Sequence, residues 1–324
     1  GPIAYHHGRF VTLGAQNSKT FIYYSDNGTA WTESNIIRDD SNYGTSIHSI
    51  AYGNGVWVGV GEKSVSWSLD DGQTWRVKRN ENWNHWRKVA FGNGRFVVLG
   101  DRNGGSSNSP NSIHSIDGIN WNESVSDVNI SQALPYFPSG GDLIYSGGKF
   151  IAVGDGIYYS NDGLTWSDTG HKNGRFSAVA FGSGRYVAIG SSLSNGSSGA
   201  VVSSSSDGIE WRKEEYQFPE ELESSNSGSS SVSIEYLNLV FGNGRFVLTA
   251  SARYGWSGRL LAYSSNGRQW TSLISKESAS STSHCCGKSV SPFNFNLGNM
   301  SGLAFGMTGR GGFHVSSPTA DTVE

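Results

Sequence analysis

Apolar residues in this chain come in short runs, and the runs come in pairs. The clearest pair is Val89-Ala90-Phe91 and Phe96-Val97-Val98-Leu99-Gly100, separated by a Gly92-Asn93-Gly94 step and Arg95. Two runs of this length around Gly-Asn-Gly read as the strands of a tight antiparallel hairpin. A second hairpin follows, whose turn is Asp117-Gly118 within Ser115-Ile116-Asp117-Gly118-Ile119-Asn120-Trp121 and whose last strand opens at the Trp. Two hairpins make a unit of four antiparallel strands. No segment shows the 3.6-residue period of an amphipathic helix.

The unit returns along the whole chain. Its first half recurs at Ile3-Ala4-Tyr5, Ile50-Ala51-Tyr52-Gly53, Leu143-Ile144-Tyr145, Val179-Ala180-Phe181-Gly182, Val240-Phe241-Gly242 and Leu303-Ala304-Phe305-Gly306. A self-similar all-β unit of roughly 40–50 residues predicts the blade of a β-propeller. The expected fold is therefore all-β, a single propeller of four-stranded antiparallel blades over about 1–36, 46–80, 85–126, 142–170, 175–216, 235–276 and 299–324. The last copy has no recognisable second hairpin before Glu324. Seven blades with a degenerate last one is the expectation, and six with an appended hairpin is the alternative.

Composition agrees with many tight turns: 44 Gly among 324 residues, and only 16% charged. A net charge of −3 carries no electrostatic footprint for nucleic acid, and no apolar run is long enough to be a membrane-spanning helix. The chain opens at Gly1 rather than Met and is read as a mature or trimmed product. Sequons at Asn27, Asn122, Asn129, Asn195 and Asn299 suit a secreted, extracellular protein. The only two cysteines, Cys285 and Cys286, are adjacent: two free thiols in a loop, or a vicinal disulfide offering an apolar platform for a sugar.

The second-hairpin turn, Ser-x-Asp-(x)-Gly-x-x-Trp, resembles the Asp box of the bacterial neuraminidase repeat. Ser68-Leu69-Asp70-Asp71-Gly72-Gln73-Thr74-Trp75 has the full spacing of that box, the other five are one residue shorter, and Asn27 and Asn266 stand where the others have Asp. The resemblance implies that the box is a structural turn between third and fourth strands, its Trp packed between blades. The box is also similar to that of sialidases, but blade one lacks the Arg of their Phe/Tyr-Arg-Ile-Pro motif, which leaves a sialidase-like hydrolase the weakest reading.

Strand order sorts the loops by face. The turn inside the first hairpin and the box turn share one face and are short throughout. The other face receives the connections 33–46, 101–112, 122–141, 191–200, 212–234, 251–258 and 275–298, which vary widely, and variable loops on a rigid scaffold are where function concentrates. Residues beside them include His48, His85, Trp86, Arg87, Arg175, Glu235 and Tyr236 where chains enter first strands. Glu62, Lys63, Asp101, Arg102, Asp155, Arg253 and Tyr254 stand where chains leave second strands. Each alone reads as a solvated loop residue. Together they mix guanidinium, imidazole, phenol and carboxylate groups, and Trp83, Trp86 and Trp256 add rings suited to stacking on a pyranose.

No Cys/His or Asp/Glu spacing typical of a metal site appears; His6 and His7 are adjacent in a strand and are expected on opposite faces. No cofactor is expected. The architecture and residue types are similar to propeller polysaccharide lyases, including those cleaving rhamnose–glucuronate linkages. That resemblance implies β-elimination on a uronate-containing polysaccharide or oligosaccharide. Arg87, Arg102 and Arg253 are the candidates for the uronate carboxylate, and His85, His48 and Tyr254 for proton transfer. Glu62, Asp101, Trp86, Trp256 and Glu235 are further substrate contacts. The chain is expected to act as a monomer. A non-catalytic lectin or adhesin is the alternative, but lectins repeat their binding residues, whereas here only the scaffold repeats.

Overall fold

A computed structural model of the chain describes residues 3–16, 19–38, 47–79, 85–101, 112–123, 141–192, 200–215, 233–253, 259–272, 304–307 and 313–316. Blade one comprises Ile3–His6, Arg9–Gln16, Lys19–Ser25 and Thr32–Glu33 (β1–β4), followed by Asn35–Arg38 (β5). Blade two comprises Ile47–Gly53, Val56–Gly61, Ser64–Ser68 and Thr74–Arg79 (β6–β9). Blade three comprises His85–Gly92, Arg95–Asp101, Ser112–Ser115 and Asn122–Glu123 (β10–β13). Blade four is Asp142–Ser146, Lys149–Val153, Ile157–Ser160 and Ser167–Asp168 (β14–β17). Blade five is Gly174–Gly182, Arg185–Ser192, Ala200–Ser205 and Arg212–Lys213 (β18–β21). Blade six is Ser233–Gly242, Arg245–Arg253, Arg259–Ser264 and Thr271–Ser272 (β22–β25), and Ala304–Met307 and Phe313–Ser316 (β26, β27) form a last hairpin.

Each blade's four strands pair in sequence order. Among the described residues the ring thus has six four-stranded blades and one two-stranded hairpin, the alternative of the two expectations. The hairpin touches β22 and β23 of blade six and β1 of blade one, so it stands where a seventh blade would begin. Blade two has a fifth strand that the sequence did not announce. β5 pairs in parallel with β9, Asn35 opposite Thr74, and covers the outer edge of the one blade whose fourth strand exceeds two residues.

The repeated residues explain the repeated shape. At the first-hairpin turns Asn54 and Gly55, and again Asn93 and Gly94, all have positive φ (49°, 81°, 46° and 73°), as a two-residue turn matched to strand twist requires. The glycine ending the first strand has a different cause. A Cβ on Gly53 would lie 2.1 Å from the Phe91 ring, on Gly92 1.9 Å from Tyr145, and on Gly182 2.0 Å from Phe241. The aromatic of each following blade rests on the preceding blade's backbone.

Each of the five seams between consecutive blades is filled by one apolar cluster. Trp75, Trp121, Trp166, Trp211 and Trp270, from the box turns, pack against these clusters in order. Trp31, at the same position in blade one, remains 37% exposed. In every box turn the Ser hydroxyl accepts the Gly N–H at 2.7 to 2.9 Å and donates to the Asp or Asn Oδ1. That oxygen in turn accepts backbone N–H groups beyond the Gly, as from Ile119 and Asn120 onto Asp117. Backbone donors of a tight turn are thereby satisfied without help from another segment.

Candidate functional site

The two faces separate as their loops imply. Asn54 Nδ2 donates to Gly94 O and Ile116 O of the next blade at 3.3 and 2.9 Å, joining first-hairpin and box turns on one face. On the opposite face Glu62, just past β7, forms an antiparallel bridge with His85, the first residue of β10.

The entering strands reach that face through a bulge. In β6 the ladder skips from Ile47 to Ser49, in β10 from Trp86 to Lys88 and in β18 from Phe176 to Ala178. His48, Arg87 and Ser177 are the extra residues. An extra residue shifts the alternation of a strand by one, so residues three apart come to share a face: Ile47 with Ile50, Trp86 with Val89 and Phe176 with Val179, each pair in one seam cluster. In β22 the skip lies further out, at Glu235, opposite the end of β23 where Arg253 pairs with Ser233.

This corrects one substrate contact. Trp86 is fully buried between blades two and three, with Gly100 making room for its ring; it is a wedge in the scaffold and not a stacking platform. A large apolar residue three positions before the Val or Ile of the first strand was the readable signal, present in three blades. A second correction concerns His6 and His7. Their rings meet at 4.3 Å, with Tyr52 at 4.1 Å from His6, because His7 belongs to the turn, at φ 46°, and no longer alternates. This cluster lies on the face of short turns.

Of the expected site residues, the backbone gathers five at the blade two and three seam. Glu62 bridges His85, His85 lies opposite Asp101, His48 is the bulge beside the Ile47 and Gly61 pair, and Arg87 is the bulge two residues past His85. Glu62 is exposed, and His48, His85 and Arg87 are half-buried. Glu235 and Arg253 stand together in blade six, on other strands of the ring. Arg102, Tyr254, Trp256, Trp83 and the Cys285-Cys286 pair lie outside the described residues.

The seam between blades four and five repeats the same relation with different chemistry. Asp155 occupies the position of Glu62, one residue past the glycine that follows the second-strand run, and Arg175 occupies that of His85, one residue before the buried aromatic. Arg175 Nε donates to Asp155 Oδ1 at 2.7 Å. Phe176 N donates to Gly154 O at 2.7 Å, and Gly154 N to Gly156 O at 2.9 Å, which fixes the three-residue loop to the neighbouring blade. Below it the Tyr158 ring is buried, its hydroxyl without a hydrogen-bond partner among the described residues. Burial, with the carboxylates of Asp168 and Asp155 adding, pushes that phenol up to about 12.

Other polar groups nearby serve the scaffold. Lys88 Nζ lies 3.0 Å from Asp142 Oδ1, and the other Asp142 oxygen accepts Val179 N–H at 3.2 Å, so one carboxylate ties blades three, four and five. His171 is buried with Nε2 2.8 Å from Ser203 Oγ, between blades four and five; burial lowers its pKa. Glu214 bridges Ser204 and Arg268 of the next blade.

No protein-family model matches the chain, and no curated protein does. Solved structures do. The GH74 xyloglucanase of Xanthomonas campestris is similar with a TM-score of 0.59 at 15% identity, over 84% of this chain and 45% of that one. This chain therefore spans less than half of that enzyme. An ancestral GH74 enzyme follows at 0.47 and 13% identity, over 84% of this chain and 39% of that one. YCF48 bound to a D1 peptide follows at 0.43 and 17%, over 70% and 67%. At these identities the likeness is one of fold: a β-propeller.

Proposed function

We propose that the protein is a secreted, carbohydrate-active propeller that takes a uronate-containing glycan on the face of varied connections and cleaves it by β-elimination. The observation that carries this reading is that the same station of two seams sets an acidic residue against a base or cation: Glu62 lies opposite His85 across a backbone bridge, and Asp155 accepts a hydrogen bond from Arg175. The scaffold repeats around them while their chemistry does not, which favours one asymmetric site over a series of equivalent lectin sites.

In this reading His85 removes the proton from C5 of the uronate, the electron pair becomes the C4–C5 double bond, and the C4–O bond breaks. The leaving oxygen takes a proton from His48 or Tyr254. Arg87 stands two residues from His85 to neutralise the carboxylate, which makes the C5 proton more acidic and stabilises the enolate-like charge that develops. Glu62 lies across the backbone bridge from His85, on the same face.

A glycoside hydrolase is the second reading. Glu62, Asp101 and Asp155 follow the corresponding glycine in three consecutive blades, and glycosidic hydrolysis runs on carboxylate pairs. The test is incubation with a panel of uronate-containing polysaccharides, following the ultraviolet absorbance of the unsaturated uronate. A rise with one polysaccharide supports elimination. Reducing ends without absorbance mean hydrolysis, and binding with neither means a lectin.

A further inference from the structure

We propose that Arg175, oriented by Asp155, is a recognition site for the carboxylate of an acidic sugar, separate from the His85 centre; the inference rests on the reading of the protein as a uronate-glycan binder. A guanidinium carries five N–H donors in a rigid fork. Asp155 engages Nε at 2.7 Å, and among the described residues this is the contact that holds the group. Both terminal nitrogens stay available on the opposite edge, where two parallel N–H···O bonds can meet one carboxylate.

The mounting is rigid. Arg175 lies within β18, paired with Ser191, rather than in a long connection. The loop carrying Asp155 has only the residues Gly154, Asp155 and Gly156 between β15 and β16, and is hydrogen-bonded to Phe176. Phe176, adjacent to Arg175, is fully buried. A site on strands under such restraint keeps its geometry without ligand. The arginine side chain is nonetheless 55% exposed and Asp155 29%, so the fork is held without being covered.

As a surface ion pair alone this contact would contribute little to stability. Two residues away, Ser177 fills the bulge that Arg87 fills in blade three. Among the described residues, this seam thus has a hydroxyl where blade three has its second guanidinium, and its imidazole, His171, is buried against Ser203 Oγ. That composition suits binding rather than proton transfer, and Arg175 here touches the ligand while Asp155 is a positioning residue.

The test is calorimetric binding of a galacturonate hexamer and of a hexasaccharide alternating glucuronate with N-acetylglucosamine. Each is compared with its methyl-esterified form and with a sulfated neutral hexasaccharide. Arg175→Gln is expected to weaken the acid form at least about 10-fold while leaving the ester unchanged. Arg175→Lys is expected to recover less than half of that loss, because an ammonium lacks the fork. Asp155→Asn should cost about 3-fold, again for the acid form only, with the melting temperature unmoved in all three. Wild-type binding that Arg175→Gln leaves intact overturns the inference and spares the proposed function. Failure of both uronate probes to bind wild type overturns the proposed function and the inference with it. Tighter binding of the sulfated probe than of either uronate overturns the assignment to carboxylate.

Discussion

On one face of the ring six turns repeat the same hydrogen bonds; on the other, the connection between second and third strands runs from the two residues 62–63 to the ten residues 102–111. The first face is a device for holding blades. Asp, Asn and Ser side chains there are consumed by backbone donors, and Asn54 and Asn93 reach across to neighbouring turns. On the second face, the same backbone stations carry Glu62, Asp101 and Asp155 on one side and His85 and Arg175 on the other. Repetition marks what the fold needs, and in the proposed reading departure from it marks what a ligand can read.

The largest expected effect tests how strictly repetition means structural weight. Trp75 and Trp31 occupy the same motif position, yet Trp75 is fully buried and Trp31 is 37% exposed. Trp75→Ala should destabilise by about 3–5 kcal/mol, as truncation of a buried aromatic does, and Trp31→Ala by about 1 kcal/mol or less. Urea unfolding of both variants decides it; equal losses would mean that the last hairpin seals blade one as well as a full blade seals blade two.

Acid stability sharpens the picture of the turn face. Burial works against ionisation of Asp117, but hydrogen bonds from Asn120, Ile119 and Ser115 outweigh it and hold the carboxyl down to about 2. Asp162 is likewise held to about 2, where bonds from Thr165, Leu164 and Ser160 outweigh its burial. Both folded values lie below the ordinary 3.8, so their stabilisation is complete above about pH 4 and is lost as pH falls toward 2. Replacing both by Asn, which Asn27 and Asn266 already show to be compatible with the turn, should flatten that limb of the unfolding curve. An unchanged limb would place the acid sensitivity elsewhere.

The smallest effect lies under the Asp155 loop. Tyr158→Phe removes a buried hydroxyl that has no partner among the described residues and should be neutral or stabilising by up to about 1 kcal/mol. A loss of more than that on thermal unfolding would show that the hydroxyl is satisfied in solution.

The blades were legible because their cause is local. Two glycine-containing turns and alternating apolar residues define a hairpin wherever they occur, and Ala-Phe-Gly recurs because an aromatic must rest on a bare backbone in the preceding blade. Trp86 was misplaced because one bulge residue reverses which side of the strand it faces, and nothing within Trp86-Arg87-Lys88 announces a bulge until the spacing is compared with Ile47-His48-Ser49. β5 is not legible in the sequence because parallel addition to an outer edge depends on where the chain leaves blade one, not on its own residues. Asp155 and Arg175 were both readable as residues of the varied face. Their bond was not, since it joins positions twenty apart across a seam whose geometry only packing sets.

The division of labour between faces is tested most directly by measuring turnover on a uronate polysaccharide and melting temperature in parallel for His85→Ala and Asn54→Ala. The account predicts that His85→Ala loses about 100-fold or more in kcat, the usual contribution of a general base, with its melting temperature unchanged. Asn54→Ala, which removes a cross-blade bond at a positive φ, should lower the melting temperature and leave kcat as it was. Full turnover in His85→Ala with a lowered melting temperature would contradict the account, making the pairs on the varied face part of the scaffold.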